Sequence, residues 1–226
     1  MKKQPFKVYA VFLTVLIFWG CSGGTEKSTL PYLGNKHTED VMRVDPVSGD
    51  TLVRKDTVYH TIAPFSFYNQ EGKLVNNQTV DGKVYVADFF FTSCPTICPV
   101  MKKQMLRVYE EFQDEPDFKI LSHTIDPSYD TVALLKDYAM RLGVEDDETW
   151  HFLTGDREKI FEIGQTSYLT TAMEDKNEPG GLLHSGAFVL VDREGRIRGV
   201  YDGTEKVQVD RLIADIPLLL KGHDQN

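Results

Sequence analysis

A near-continuous run of apolar, strand-forming residues, VYVADFFF at positions 84–91, constrains the fold of this chain more than any other feature. Such a run predicts a central strand that is buried on both faces of a sheet. The segment after it predicts a helix, because apolar residues recur at helical spacing between positions 100 and 112 and Pro99 lies in the first turn, where proline is tolerated. Together the two segments predict the beginning of an α/β domain.

The rest of the chain continues this alternation. The further predicted elements are a strand at 118–125, a helix capped by Asp130 and ending at Gly143, a strand at 150–153, a helix starting at Asp156, a hairpin of strands 187–191 and 197–201, and a helix at 206–220. This order predicts a thioredoxin-like fold, with a central mixed sheet flanked by helices and an additional N-terminal β-hairpin near residues 64–86. The loop after the first long strand then lies at the carboxyl end of the sheet, where α/β proteins place their chemistry.

Residues 1–21 are predicted to be a leader. A basic start precedes an apolar run at 8–19, which at about 12 residues is short for a membrane-spanning helix. Cys21 follows this run and resembles the lipid-attachment site of a bacterial lipoprotein. Phe18 and Trp19 are bulkier than is usual before such a cysteine, which leaves an uncleaved anchor or simple secretory cleavage as alternatives. We therefore expect an exported protein, anchored on the extracytoplasmic (periplasmic) side of a membrane.

The remaining chain is expected to contain one domain. Residues 22–58 are polar and turn-rich, which predicts a flexible tether with room for one short hairpin. The folded domain is expected at 59–222, followed by a tail at 223–226. A net charge of −9 argues against nucleic acid as a partner.

The cysteines point to the chemistry of the domain. If Cys21 carries lipid, Cys94 and Cys98 remain as one close pair, too little for a disulfide framework in a domain of this size. Cys98 lies at the predicted helix start, where free backbone amides favour a thiolate, so we expect both sulfurs to be acidic. Thiolates suit copper(I), and His184 is the best-placed further ligand because it precedes a strand that reaches the cysteine loop. A structural disulfide is the alternative.

Three motifs in order resemble the Sco (SenC) family over roughly residues 60–222: DFFFTSCPTICP at 88–99, TIDPSYDT at 124–131 and HSG at 184–186. The resemblance implies that Cys94, Cys98 and His184 bind copper, as copper(I) or copper(II). Thr96 replaces a common aspartate of the family and is assigned no ligand role. The implied function is delivery of copper to the dinuclear copper centre of a cytochrome c oxidase, or reduction of that centre's cysteines. The implied partner is the copper-bearing oxidase subunit or another copper carrier.

The same cysteines leave a second function open, that of an extracytoplasmic thiol-disulfide oxidoreductase in which Cys94 and Cys98 form a disulfide when oxidised. His184 would then be dispensable. Asp88 lies at the offset where thioredoxins carry a buried carboxylate that assists proton transfer; the alternative is that it lies on an edge or pairs with a nearby lysine. His123 is expected to be structural.

Overall fold

The computed structural model describes residues 30–46, 48–144, 148–170, 172–174 and 182–221, with only the backbone of 172–174 and 182–184. The strands are β1 (Lys36–Val44), β2 (Thr51–Tyr59), β3 (Ser66–Tyr68), β4 (Leu74–Asn76), β5 (Val84–Phe90), β6 (Phe118–Thr124), β7 (Trp150–Leu153), β8 (Ala172–Glu174), β9 (Leu182–His184), β10 (Ala187–Val191) and β11 (Ile197–Asp202). The helices are α1 (Asn77–Val80), α2 (Cys98–Phe112), α3 (Val132–Leu142), α4 (Arg157–Glu162) and α5 (Lys206–Lys221), and α4 continues into a π-helical turn at Ile163–Ser167.

A five-stranded mixed sheet forms the core, in the order β11-β10-β5-β6-β7. β5, β6 and β7 are mutually parallel, whereas β10 runs antiparallel to both β5 and β11. Every residue of β5 and β6 is buried, as the apolar run predicted for the central strand. The α/β architecture with a mixed sheet is therefore confirmed.

Helices α2, α3 and α5 share one face of the sheet. Lys102 of α2 and Tyr138 of α3 both contact the ring of Phe90 in β5, and α5 packs against α2 and β11. On the opposite face, Tyr168 follows the π-helical turn and its ring lies 5.5 Å from that of His123. The two faces therefore have different neighbours, and only the first is covered by the helix that begins at the cysteines.

Two hairpins precede the sheet. β3 and β4 pair antiparallel within the region predicted for an N-terminal hairpin, which is thereby confirmed. β1 and β2 pair over nine residues each, and most of their side chains are exposed. The ordered hairpin inside the predicted tether is therefore longer than expected.

The segment before β1 is held on the domain. Arg198, which is 2% exposed, donates hydrogen bonds to the carbonyl oxygens of Leu30 and Pro31, and its guanidinium lies 4.1 Å from the ring centroid of Tyr32. The backbone amide of Leu33 donates to the carbonyl of Ile197 at 2.9 Å. Contacts with the core are thus already present at Leu30, the first described residue, before the domain start expected near residue 59, because a buried arginine binds this segment.

The helix ends match the predictions at two of three positions. Asp156 caps α4 by accepting a hydrogen bond from the Lys159 amide, and Gly143 ends α3 in the left-handed conformation with φ 79°. The predicted cap of α3 at Asp130 is wrong. Thr131 is the N-cap, because the side chain of Asp130 turns inward to other donors.

No helix in the described part of the chain is long and apolar enough to cross a membrane. The predicted leader with Cys21 and the predicted tail lie outside the described residues.

Candidate metal centre

Cys94 and Cys98 lie together at the carboxyl end of β5. Cys94 is in the loop after the strand, and Cys98 is the first residue of α2, as the sequence predicted. Pro99 follows in the first turn, and the N-cap residue Ile97 provides no side-chain hydrogen bond, so backbone amides at this helix end are left for other acceptors. Neither cysteine is in a disulfide, and the two are 7% and 2% exposed respectively.

The surroundings of Cys94 favour its thiolate. Burial opposes ionisation, but hydrogen bonds from the backbone amides of Cys98 and Thr96, from the Thr96 hydroxyl and from the Cys98 thiol outweigh it, so the pKa of Cys94 is lowered. The sulfur of Cys94 and Oγ1 of Thr96 are 3.6 Å apart. Thr96 therefore influences the site through its hydrogen bond with the Cys94 sulfur.

Cys98 differs from the expectation that both sulfurs are acidic. Burial raises the pKa of Cys98 well above its ordinary value, and donation of its S–H to Cys94 raises it further. The helix start favours a thiolate, but this sulfur is enclosed beneath α2 and water cannot stabilise its charge. The pair therefore combines a cysteine of lowered pKa, Cys94, with one of raised pKa, Cys98.

A buried carboxylate holds the cysteine loop in place. Asp130 accepts a hydrogen bond from the amide of Thr92 at 3.1 Å and further bonds from the hydroxyls of Thr92 and Thr124. Burial raises the pKa of Asp130, although the hydrogen bonds from the two threonines oppose this. The interpretation of Asp130 as a simple helix cap missed this role, because nothing in the local sequence shows that its side chain points inward.

Asp88 forms a buried ion pair with Lys102 on the sheet face that α2 covers. Nζ of Lys102 lies 2.7 Å from the Asp88 carboxylate and 3.0 Å from Oγ of Ser122, and Ser122 donates to the other Asp88 oxygen. Trp150 donates its indole N–H to Ser122 at 2.9 Å. Of the two alternatives for Asp88, the structure shows pairing with a lysine. The sequence feature that could have identified Lys102 is its position one helical turn after Cys98, on the apolar stripe of the helix.

The cysteines open into a cavity of about 300 Å³. Its other lining residues are Thr92, Pro99, Lys102, Lys103, Leu106, Tyr138 and Leu142. A larger cavity of about 400 Å³ lies between β3 and α4 and is lined by none of the predicted site residues. The cysteine cavity is therefore the candidate metal-binding cavity, because a ligand there would contact both sulfurs.

The structure describes the backbone of His184, the last residue of β9, but not its side chain. Its backbone is paired with that of Ala172. Three residues later, Ala187 begins β10, which runs antiparallel to β5 and therefore enters the sheet at the end where β5 leads to Cys94. The fold thus brings the backbone of His184 toward the cysteine end, and its ligand role stays a prediction.

His123 is a structural residue, as expected. Its imidazole is fully buried on the sheet face opposite Lys102, stacked on Phe89 at 5.1 Å and flanked by Phe67 and Tyr168. Neither ring nitrogen has a hydrogen-bond partner among the described residues. Its ring therefore belongs to an aromatic cluster of the core and not to the cysteine site.

The donor chemistry of the cysteine cavity suits a soft metal ion. The two sulfurs are close enough to share a hydrogen bond, and the lowered pKa of Cys94 favours its thiolate, the form that binds copper(I). Among the described side chains, no three histidine, cysteine, aspartate or glutamate residues converge as a complete metal site. The two sulfurs therefore supply two soft donors, to which a further ligand could be added.

Comparison with known proteins places the chain among relatives. A family model described as SCO1/SenC matches residues 53–221. The SCO1 protein homolog of Bacillus subtilis is 34% identical over 164 residues, which cover 72% of this chain and 84% of that protein.

Solved structures agree. A SCO1/SenC family lipoprotein from Bacillus anthracis superposes with a TM-score of 0.65 at 30% identity, covering 71% of this chain and 95% of the other. BsSco, a member of the Sco family of cytochrome c oxidase assembly proteins in which a disulfide switch was identified, gives 0.62 at 33% identity over 71% and 93%. Copper-bound ScoI of Bradyrhizobium japonicum gives 0.58 at 25% identity over 70% and 99%. These likenesses confirm the predicted resemblance and fold, and this chain belongs to the SCO1/SenC family.

Proposed function

We propose that this protein carries copper for the assembly of a cytochrome c oxidase, either delivering copper to the dinuclear copper site or reducing the cysteines of that site. The observation that carries the proposal is the sulfur–sulfur hydrogen bond between Cys94 and Cys98 in one cavity. Relatives support it, because BsSco belongs to a family of oxidase assembly proteins and the B. japonicum ScoI structure contains copper. The partner is the copper-bearing oxidase subunit or another copper carrier.

Cys94, Cys98 and His184 are the proposed ligands. Two thiolates and one imidazole form a soft donor set that accepts copper(I) and tolerates copper(II). The Cys98 proton must leave when the metal binds, so copper uptake releases a proton at this sulfur. We expect His184 to complete the set from the end of β9, three residues before β10 enters the sheet beside the cysteine loop.

The alternative function, a thiol-disulfide oxidoreductase, uses the same sulfurs. The Cys94 thiolate attacks one sulfur of a substrate disulfide, whose S–S bond breaks to release one substrate thiolate and leave a mixed disulfide. Cys98 then attacks Cys94, its proton passes to the second leaving substrate thiolate, and the protein disulfide forms. The substrate gains two electrons and the protein loses two. The order of attack follows from the lowered pKa of Cys94 and the raised pKa of Cys98.

The test compares copper(I) binding by the full chain in detergent with binding by Cys94→Ala, Cys98→Ala and His184→Ala, using a chromophoric copper(I) chelator as competitor. We expect one copper per wild-type chain and at least tenfold weaker binding in each variant. His37→Ala, a change at an exposed histidine of β1, is the matched control and should bind as the wild type does.

The same variants separate the two functions. If His184→Ala keeps wild-type copper affinity while the cysteine pair still reduces a model disulfide, the oxidoreductase function replaces the carrier function. If neither copper binding nor disulfide reduction depends on Cys94, both functions are wrong.

We also propose that Cys21 carries a lipid that anchors the domain on the extracytoplasmic side of a membrane. The basic and apolar leader supports this, as does the description of the B. anthracis relative as a lipoprotein. Cys21→Ser should abolish incorporation of labelled fatty acid and release the protein from membranes. Unchanged labelling in that variant would exclude Cys21 as the site.

A further inference from the structure

The buried ion pair of Lys102 and Asp88 has a fixed orientation relative to the cysteine cavity. Lys102 lines the cysteine cavity together with both sulfurs, whereas its partner Asp88, on β5, is not among the lining residues. The two side chains are 2% and 0% exposed, so solvent screens neither charge. The positive end of the pair therefore faces the cavity that both sulfurs line.

The ammonium group of Lys102 is fixed on every side. It is bonded to Asp88 and Ser122 and lies 4.2 Å from the centroid of Phe90. Ser122 is held in turn by Trp150. Because each partner is itself bonded, the charge cannot move away when the charge at the sulfurs changes.

The two oxidation states of copper at this site differ in charge. With two thiolates and a neutral imidazole, the copper(I) site has a net charge of minus one and the copper(II) site is neutral. A nearby fixed cation stabilises the anionic state and leaves the neutral one nearly unaffected.

We propose that Lys102 selects the oxidation state of the metal, and that its buried ammonium group makes this site prefer copper(I) over copper(II). The inference rests on the proposed function, because it takes Cys94 and Cys98 as ligands. Lys102 is a positioning residue in this role: it acts through charge and needs no contact with the metal.

The test is a potentiometric titration of the copper-loaded full chain in detergent with dithionite as the one-electron reductant, which follows the thiolate-to-copper(II) absorption. The central variant is Asp88→Asn combined with Lys102→Met, which removes both charges and leaves no unpaired buried charge, so folding is preserved. We expect its preference for copper(I) over copper(II) to fall at least tenfold, which corresponds to a potential about 59 mV lower.

Two single variants test the sign of the shift in copper(I) preference and provide a control. Asp88→Asn alone leaves Lys102 without its counter-charge, so the preference for copper(I) should rise, opposite in direction to the double variant. Lys103→Met removes an exposed lysine from the lining of the same cavity and should change the preference less than twofold, because water screens that charge. A merely structural role of the pair would not give shifts of opposite sign.

The inference is overturned if the double variant binds one copper and keeps the wild-type preference within twofold, or if Asp88→Asn and the double variant shift it in the same direction. Neither result affects the proposed function, which rests on stoichiometric copper binding. Failure of the wild type to bind copper at all would instead overturn the proposed function, and this inference with it.

Discussion

The carboxylate of Asp130 accepts hydrogen bonds from both the backbone amide and the hydroxyl of Thr92, two residues before Cys94. A third bond comes from Thr124 at the end of β6. One buried acid therefore ties the cysteine loop to the neighbouring strand and to the start of α3.

Replacing Asp130 by Ala should lower the free energy of unfolding by about 1–3 kcal/mol, because the buried donors of Thr92 and Thr124 lose their acceptor. Urea unfolding of the copper-free protein measures this. Asp137→Ala, which removes an exposed acid of α3 from a pair with Arg141, should cost less than about 1 kcal/mol. Equal losses in the two variants would mean that Asp130 does not anchor the loop.

Burial lowers the pKa of His123 to about 3, whereas an unfolded histidine titrates near pH 6.5. The folded protein holds this imidazole neutral, so its contribution to stability is complete above about pH 6.5 and is lost progressively as pH falls toward 3. His123→Leu should therefore lose less stability than the wild type between pH 7.5 and pH 5, in denaturant titrations at each pH.

The difference between the two proteins should change by up to about 1.4 kcal/mol per pH unit below pH 6.5. His37→Leu, at an exposed position, should follow the wild-type pH dependence. Parallel stability curves for His123→Leu and the wild type would contradict the prediction.

Cys94 should react with iodoacetamide faster than Cys98 in the reduced protein. Hydrogen bonds lower the pKa of Cys94 against the effect of burial, whereas burial raises the pKa of Cys98. Because the thiolate is the reactive form, we expect a rate difference of about tenfold or more near pH 7, measured by peptide mass spectrometry. Thr96→Val, which removes the hydroxyl at Cys94, should slow the reaction of Cys94; faster labelling of Cys98 than Cys94 would refute the assignment.

Arg198→Leu should detach the segment that precedes β1. It breaks a buried ion pair with Asp192 at 3.0 Å and leaves two backbone carbonyls without their donor, at a cost of about 3 kcal/mol. The measurements are the urea midpoint and the rate of proteolysis between residues 30 and 36. Arg141→Leu, at an exposed pair, is the control. Unchanged proteolysis would show that other contacts hold the segment.

Much of the fold could be predicted because its signals are local. The apolar run at 84–91 corresponds to β5, the helical spacing after it to α2, and Asp156 caps α4 as predicted. The close pair Cys94 and Cys98 is also local, since both follow the central strand directly.

The sequence by itself determined the order of strands and helices, the family and the position of the cysteine pair, because periodicity, capping residues and motif spacing are properties of neighbouring residues. The tertiary structure alone decided that Asp130 turns inward, that Lys102 meets Asp88, that Arg198 binds a segment 168 residues away, and that the pKa of Cys94 is lowered whereas that of Cys98 is raised. Burial and long-range hydrogen bonds set these features, and they depend on which side chains the folded sheet brings together and shields from water.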